Sequence, residues 1–155
     1  MATFYDVSLA IARGVRKKRA VIAEYRQRVA ISILREILRT FPVDTGIHIS
    51  NWVLTHHPQN PFVVGTKPAF VKGRRGTTRQ ANARIVMQKA RFMVVRFKDP
   101  DHCLYISNTA RCIETIEFLL HPGVIHEAIG RGLASVGTRL GPYELSGFSD
   151  FPSAG

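Results

Sequence analysis

The chain has 155 residues, with 22 Lys and Arg against 11 Asp and Glu, a formal net charge of +11. An apolar fraction of 45% and a mean hydropathy near zero are enough to fill one core, which excludes a wholly disordered polycation. No apolar run approaches the roughly 20 residues that cross a bilayer, and the opening MATFYDVSLAIARGV lacks a basic n-region and a small-residue cleavage site. The expectation is a soluble, unexported protein with no membrane partner.

In chain order, the first predicted element is a helix over Ser8–Phe41. It holds no proline and only Gly14 as a weak point where it can break, and Ile22, Tyr25, Val29, Ile33, Ile37 and Phe41 recur at steps of three or four as one buried stripe. Pro42 stops it, because proline disfavours the helical conformation of the residue before it. Ile47–Thr55, IHISNWVLT, alternates and is rich in β-branched residues, which predicts a strand with Trp52 in the core. Residues 57–80 contain Pro58, Pro61, Gly65, Pro68, Gly73 and Gly76, the composition of a long loop. A second helix is expected from Thr77 to Phe97, with Ala83, Val86, Ala90, Met93 and Val94 inside and Arg84, Lys89, Arg91 and Arg96 on the other positions.

The KDPD tetrapeptide at 98–101 ends that helix. His102–Ser107 reads as a strand, and Ile113–Leu119 as a second one able to pair with it as a hairpin. Pro122-Gly123 opens a third helix with Pro122 in its first turn and Ile125, Ala128, Ile129, Leu133 and Val136 on one face. The sum is a single α+β domain over 1–137: a long N-terminal helix and two further helices on a small, mainly antiparallel sheet, with the basic loop at 57–80 and an extended C-terminal tail at 138–155.

Charge is unevenly spread. Arg16, Lys17, Lys18 and Arg19 form a basic cluster in the first helix, and from Thr45 to Lys98 there is no acidic residue at all. Beyond Cys112 the sign reverses, with Glu114, Glu117, Glu127, Glu144 and Asp150 against Arg131 and Arg139. Such a molecule can meet copies of itself head to tail or present its basic surface to a polyanion. Lys67, Lys72, Arg74, Arg75 and Arg79 are the candidate contacts to a neighbour or to DNA, following phosphates without reading bases.

No catalytic set accompanies the charge. Asp44-Thr45-Gly46 matches the aspartic-protease tripeptide but follows a long helix and Pro42 rather than an apolar strand, so Asp44 is assigned to a turn and Gly46 to a permissive backbone position. The six histidines (His48, His56, His57, His102, His121 and His126) fall into no metal-ligand spacing, and no nucleotide-binding or nucleophile-elbow motif occurs. Cys103 and Cys112 are expected to be buried free thiols. The expectation is a non-enzymatic protein with no cofactor or metal.

The order of motifs is more specific. A basic helix leads into Phe41-Pro42-Val43-Asp44-Thr45-Gly46, then Ser50-Asn51-Trp52, a glycine-rich loop and a helix, Leu104-Tyr105-Ile106-Ser107-Asn108, Ile116-Glu117, and Pro122-Gly123-Val124. Over residues 15–137 this resembles the neck or tail-completion (minor tail component) family of tailed bacteriophages. Cys112 stands where that family commonly has a tyrosine, and Phe118-Leu119-Leu120 where it has a glycine. The resemblance implies a virion protein of the head–tail junction, assembled in the host cytoplasm. It would form a ring of six or twelve copies around the DNA channel, with other connector and tail proteins as partners. A tail-terminator ring, or a free sequence-nonspecific nucleic-acid-binding protein, is the alternative. Pro42, Asp44, Thr45, Gly46, Asn51, Trp52, Asn108, Glu117 and Gly123 are the structural motif residues that the resemblance implies, with Glu117 holding a backbone group or a cation.

Overall fold

The computed structural model describes residues 4–42, 47–57, 78–110 and 119–137. Their order is α1 (Phe4–Thr40), α2 (Ile47–Ser50), β1 (Trp52–Thr55), α3 (Arg79–Arg96), β2 (Tyr105–Asn108) and α4 (Val124–Val136). The class is α+β, dominated by helix, with one small antiparallel sheet.

Helix α1 runs unbroken through Gly14 and, at 37 residues, is about 55 Å long. Only its C-terminal half is a core element. Ala30, Ile31, Leu34, Ile37, Leu38 and Phe41 are buried, and α3 lies antiparallel along them: Arg79 at the start of α3 reaches the Leu38 and Arg39 carbonyls, and Gln27 Nε2 donates to the Phe97 carbonyl at its end. Val86, Met87, Ala90 and Val94 supply the α3 side of this core. Each fully buried aliphatic side chain contributes roughly 1.5–3 kcal/mol relative to exposure.

Helix α4 covers a second face of α1. Ser32 and Ser135 share a hydroxyl hydrogen bond, Tyr25 Oη donates to the Gly137 carbonyl at 3.2 Å, and Arg131 lies 3.7 Å from Glu36, so α4 too runs antiparallel to α1. The expected single stripe therefore divides. Ile37 and Phe41 enter the core, Tyr25, Val29 and Ile33 are half-buried on the α4 side, and Ile22 is exposed because α4 ends at the level of Tyr25. The buried face of α4 also departs from expectation. Ala128 is buried as expected, but Gly132 completes the seam while Ile129 and Leu133 are exposed, because small residues let the two backbones approach closely.

Two boundaries move. Pro122 precedes α4 instead of sitting in its first turn: the His121 carbonyl accepts from the Val124 N–H, and Gly123 takes a left-handed φ of 80°, which disfavours any side chain there. The expected strand Ile47–Thr55 divides into the helical turn α2 and the shorter β1. Ile49, Ser50, Asn51 and Trp52 are all buried, and four consecutive inward side chains cannot lie on a half-exposed strand, whose faces alternate.

β1 pairs with β2 in the register Trp52↔Asn108 to Thr55↔Tyr105. Residues 113–118 of the expected hairpin partner lie outside the described residues, and Leu119 is in a helical turn, not a strand. Cys103 is exposed, contrary to the expected buried thiol, and Cys112 lies outside the described residues.

Candidate functional surface

Two surfaces could do chemistry or recognition. The first is the N-terminal half of α1, an arm of about 28 Å of helix from Phe4 to Ile22. It leaves the body at a clamp made by the turn after α3. Arg19 pairs with Asp99 at 3.2 Å and with Asp101, and Arg26 donates to the Pro100 carbonyl. The Asp99 carboxyl is held below its ordinary range, first by a hydrogen bond from the Asp101 backbone N–H and further by His102 and Arg19. Residues 13–18 beyond Arg19, and residues 19–22 at the clamp itself, are all exposed. Arg13, Arg16, Lys17 and Lys18 make no ion pair with a described residue. Ile11, Val15 and Ile22 are 62%, 51% and 42% exposed, and at 100° per residue they project within a sector of about 40°.

The second surface is the outer face of α3. Arg84, Lys89 and Arg96 are exposed there, with Phe92 under the Arg96 guanidinium at 4.2 Å, a cation–π arrangement. Arg91, expected beside them, is half-buried and engaged within the fold. No acidic residue interrupts the helix, so every charge on this face is positive, with Phe92 and Val95 exposed among them.

The loop candidates are only partly placed. Lys67, Lys72, Arg74 and Arg75 lie outside the described residues. Arg79 is described, and it is occupied. Its guanidinium donates to the Arg39 carbonyl at 2.5 Å and to the Leu38 carbonyl at 3.3 Å, satisfying the C-terminal end of α1 in place of an α1 residue's own cap, and burial pulls its pKa down from the ordinary value. The side chain assigned to DNA or neighbour contact is thus engaged within the fold. Replacing it, as Arg79→Met, is expected to lower unfolding free energy by about 1–2 kcal/mol in urea titration. Nonspecific DNA affinity should not change, and an altered affinity at unchanged stability would restore the contact role.

The motif residues separated in sequence are brought together at one corner. Trp52 is buried edge-on to Phe41 at 5.5 Å and stands opposite Asn108 in the sheet. Asn108 Nδ2 donates to the His48 carbonyl at 2.9 Å and its Oδ1 accepts from the Ala110 N–H at 2.8 Å, while Asn51 Oδ1 accepts from Thr109 Oγ1 at 3.0 Å. These bonds tie α2 to the end of β2, so Asn51, Trp52 and Asn108 act as fold determinants. Pro42 follows Phe41 half-buried. Asp44, Thr45, Gly46 and Glu117 lie outside the described residues. Sequence reasoning missed the arm and the α3 face as surfaces, although the run of cations at Arg16–Arg19 and the acid-free span had signalled both.

No cluster of three or more His, Cys, Asp or Glu able to hold a metal occurs among the described residues, and none of their helices is long and apolar enough to cross a membrane. The class defined is an α+β protein with two exposed cationic surfaces. Comparison with family models, with curated proteins and with solved structures found no match.

Proposed function

We propose that this chain is a non-enzymatic structural subunit of the head–tail junction of a tailed-phage virion. Its copies would form a ring of six or twelve that joins the connector to the tail around the DNA channel. The observation that carries the reading is the N-terminal half of α1. A helix that leaves its own core with Ile11, Val15 and Ile22 exposed in one line exposes apolar area that a solitary subunit would do better to cover. Assembly with neighbours gives it a use. The cationic outer face of α3 suits sequence-blind contact with the DNA that passes through such a ring, and the order of motifs from Pro42 to Gly123 agrees with the neck family. A tail-terminator ring needs the same physics and differs only in its neighbours.

The test is composition. Mass spectrometry of purified particles from the genome that encodes the chain should find it in every tailed particle, at six or twelve copies. Particles that lack it overturn the proposal.

A second reading, a free nucleic-acid-binding protein, is favoured by the exposed Arg84, Lys89 and Arg96 on the helix that carries the exposed Phe92. Six phosphate contacts would give a log–log salt slope of roughly −5 for DNA binding by the isolated chain, and weak, shallow binding discards this reading.

A further inference from the structure

We propose that the uncovered stripe of α1 receives the outer face of α4 from a second copy of this chain, in a head-to-tail contact. The inference rests on the ring reading and specifies its interface.

The geometry of α1 supplies the first argument. Tyr25, Ser32, Ile33 and Glu36 lie on the face that meets α4 of the same chain, and at 100° per residue Ile11, Val15 and Ile22 continue that face toward the N-terminus. One long surface is thus half covered by an antiparallel helix and half bare. The bare stripe, from Ile11 to Ile22, is about 17 Å long, and the 13 residues of α4 span about 20 Å. A second α4 fits the vacant length.

The partner surface is also present. α4 uses Ala128 and Gly132 against its own α1, which leaves Ile129 and Leu133, one turn apart, 37% and 50% exposed on the flank beside that seam. That flank is turned about 100° from the seam, and the arm of the same molecule, a continuation of the rod on which α4 lies, runs past the C-terminal end of α4 at Tyr25 and does not fold back onto it. Contact requires another copy.

Charge selects between the symmetric and the head-to-tail arrangement. Arm against arm would set Arg13, Arg16, Lys17 and Lys18 of one copy against the same four of the other. α4 instead carries Glu127 and Arg131, paired at 3.4 Å and of no net charge, so laying it on the arm of another copy sets up no such repulsion. Two different patches in mutual contact make a heterologous interface, which closes into a ring when the rotation permits.

The experiment uses sedimentation velocity on the full chain over a wide concentration range. Two double variants are compared with the parent, Val15→Glu with Ile22→Glu on the arm and Ile129→Glu with Leu133→Glu on α4. All four positions are exposed, and circular dichroism melting checks that each variant folds. The parent should self-associate, and each double variant should weaken association at least tenfold. An equimolar mixture of the two should form a one-to-one heterodimer and nothing larger, because one intact arm then meets one intact α4. A mixture that stays monomeric, an arm variant that assembles like the parent, or a parent that is monomeric throughout overturns the inference. An unaffected arm variant in a chain still found in particles leaves the ring reading standing, whereas absence from particles removes that reading itself.

Discussion

Phe41→Ala is expected to lower the unfolding free energy by about 3–5 kcal/mol, the usual loss when a buried aromatic is truncated and its cavity only partly collapses. Phe41 is essentially inaccessible, caps the core stripe of α1, and meets Trp52 edge to face at 5.5 Å, so its removal also costs an aromatic pair worth about 0.5–1.5 kcal/mol. The site is where the long helix turns into α2 and β1, and the hole would open between elements that share few other contacts. Urea denaturation should show a lower midpoint with an unchanged slope. A loss below about 1 kcal/mol would mean that the corner relaxes freely and that Phe41 is not its anchor.

The second large effect is expected from the smallest change, Gly132→Ala. A Cβ at this position would stand 2.6 Å from Ile33 Cα, 2.8 Å from Ile33 N and 2.9 Å from Ile33 Cγ1. Two of those atoms are backbone and cannot rotate away. Alanine would normally stabilise a helix interior by about 1 kcal/mol relative to glycine, but overpacking costs about 1–3 kcal/mol, so the net sign is destabilising. The comparison with Gly130→Ala is the control. Gly130 lies two residues away on the same helix with open space around it, and its substitution should raise the melting temperature by the propensity gain. If both variants gained stability, α1 and α4 would not pack as closely as described.

These two positions also mark what could be read from residues alone. The length and end of α1 followed from apolar steps and Pro42, and the inner face of α3 from Val86, Ala90, Val94 and Phe97, because strong periodicity with a clear stop is a local property. The seam of α4 was not legible in that way. Hydrophobic steps pointed to Ile129 and Leu133 beside Ala128, whereas close approach selected Ala128 and Gly132, and only the position of α1 decides between them. The α2–β1 corner failed for the opposite reason: Ile47–Asn51 has β-branched composition, but tertiary burial of four successive side chains overrode it. Arg79 read as one more cation in an acid-free span, and nothing in its neighbours announced that α1 would end within its reach. The convergence of Asn51, Trp52 and Asn108 was anticipated only as a set of structural residues, without the hydrogen bonds that join them.

The clamp at Arg19 gives α1 a gradient of rigidity along a single rod. A helical segment as short as the arm would be marginal in water, because the first turn is costly to nucleate. Here the nucleus already exists in the packed half from Ala23 to Phe41, and the arm needs only to propagate from it. Amide exchange should therefore slow stepwise from Ile11 toward Leu34, with the break near Arg19 rather than at a loop. A neighbour that grips such an arm meets side chains already in order and offsets far less conformational entropy than one that must fold a coil on arrival.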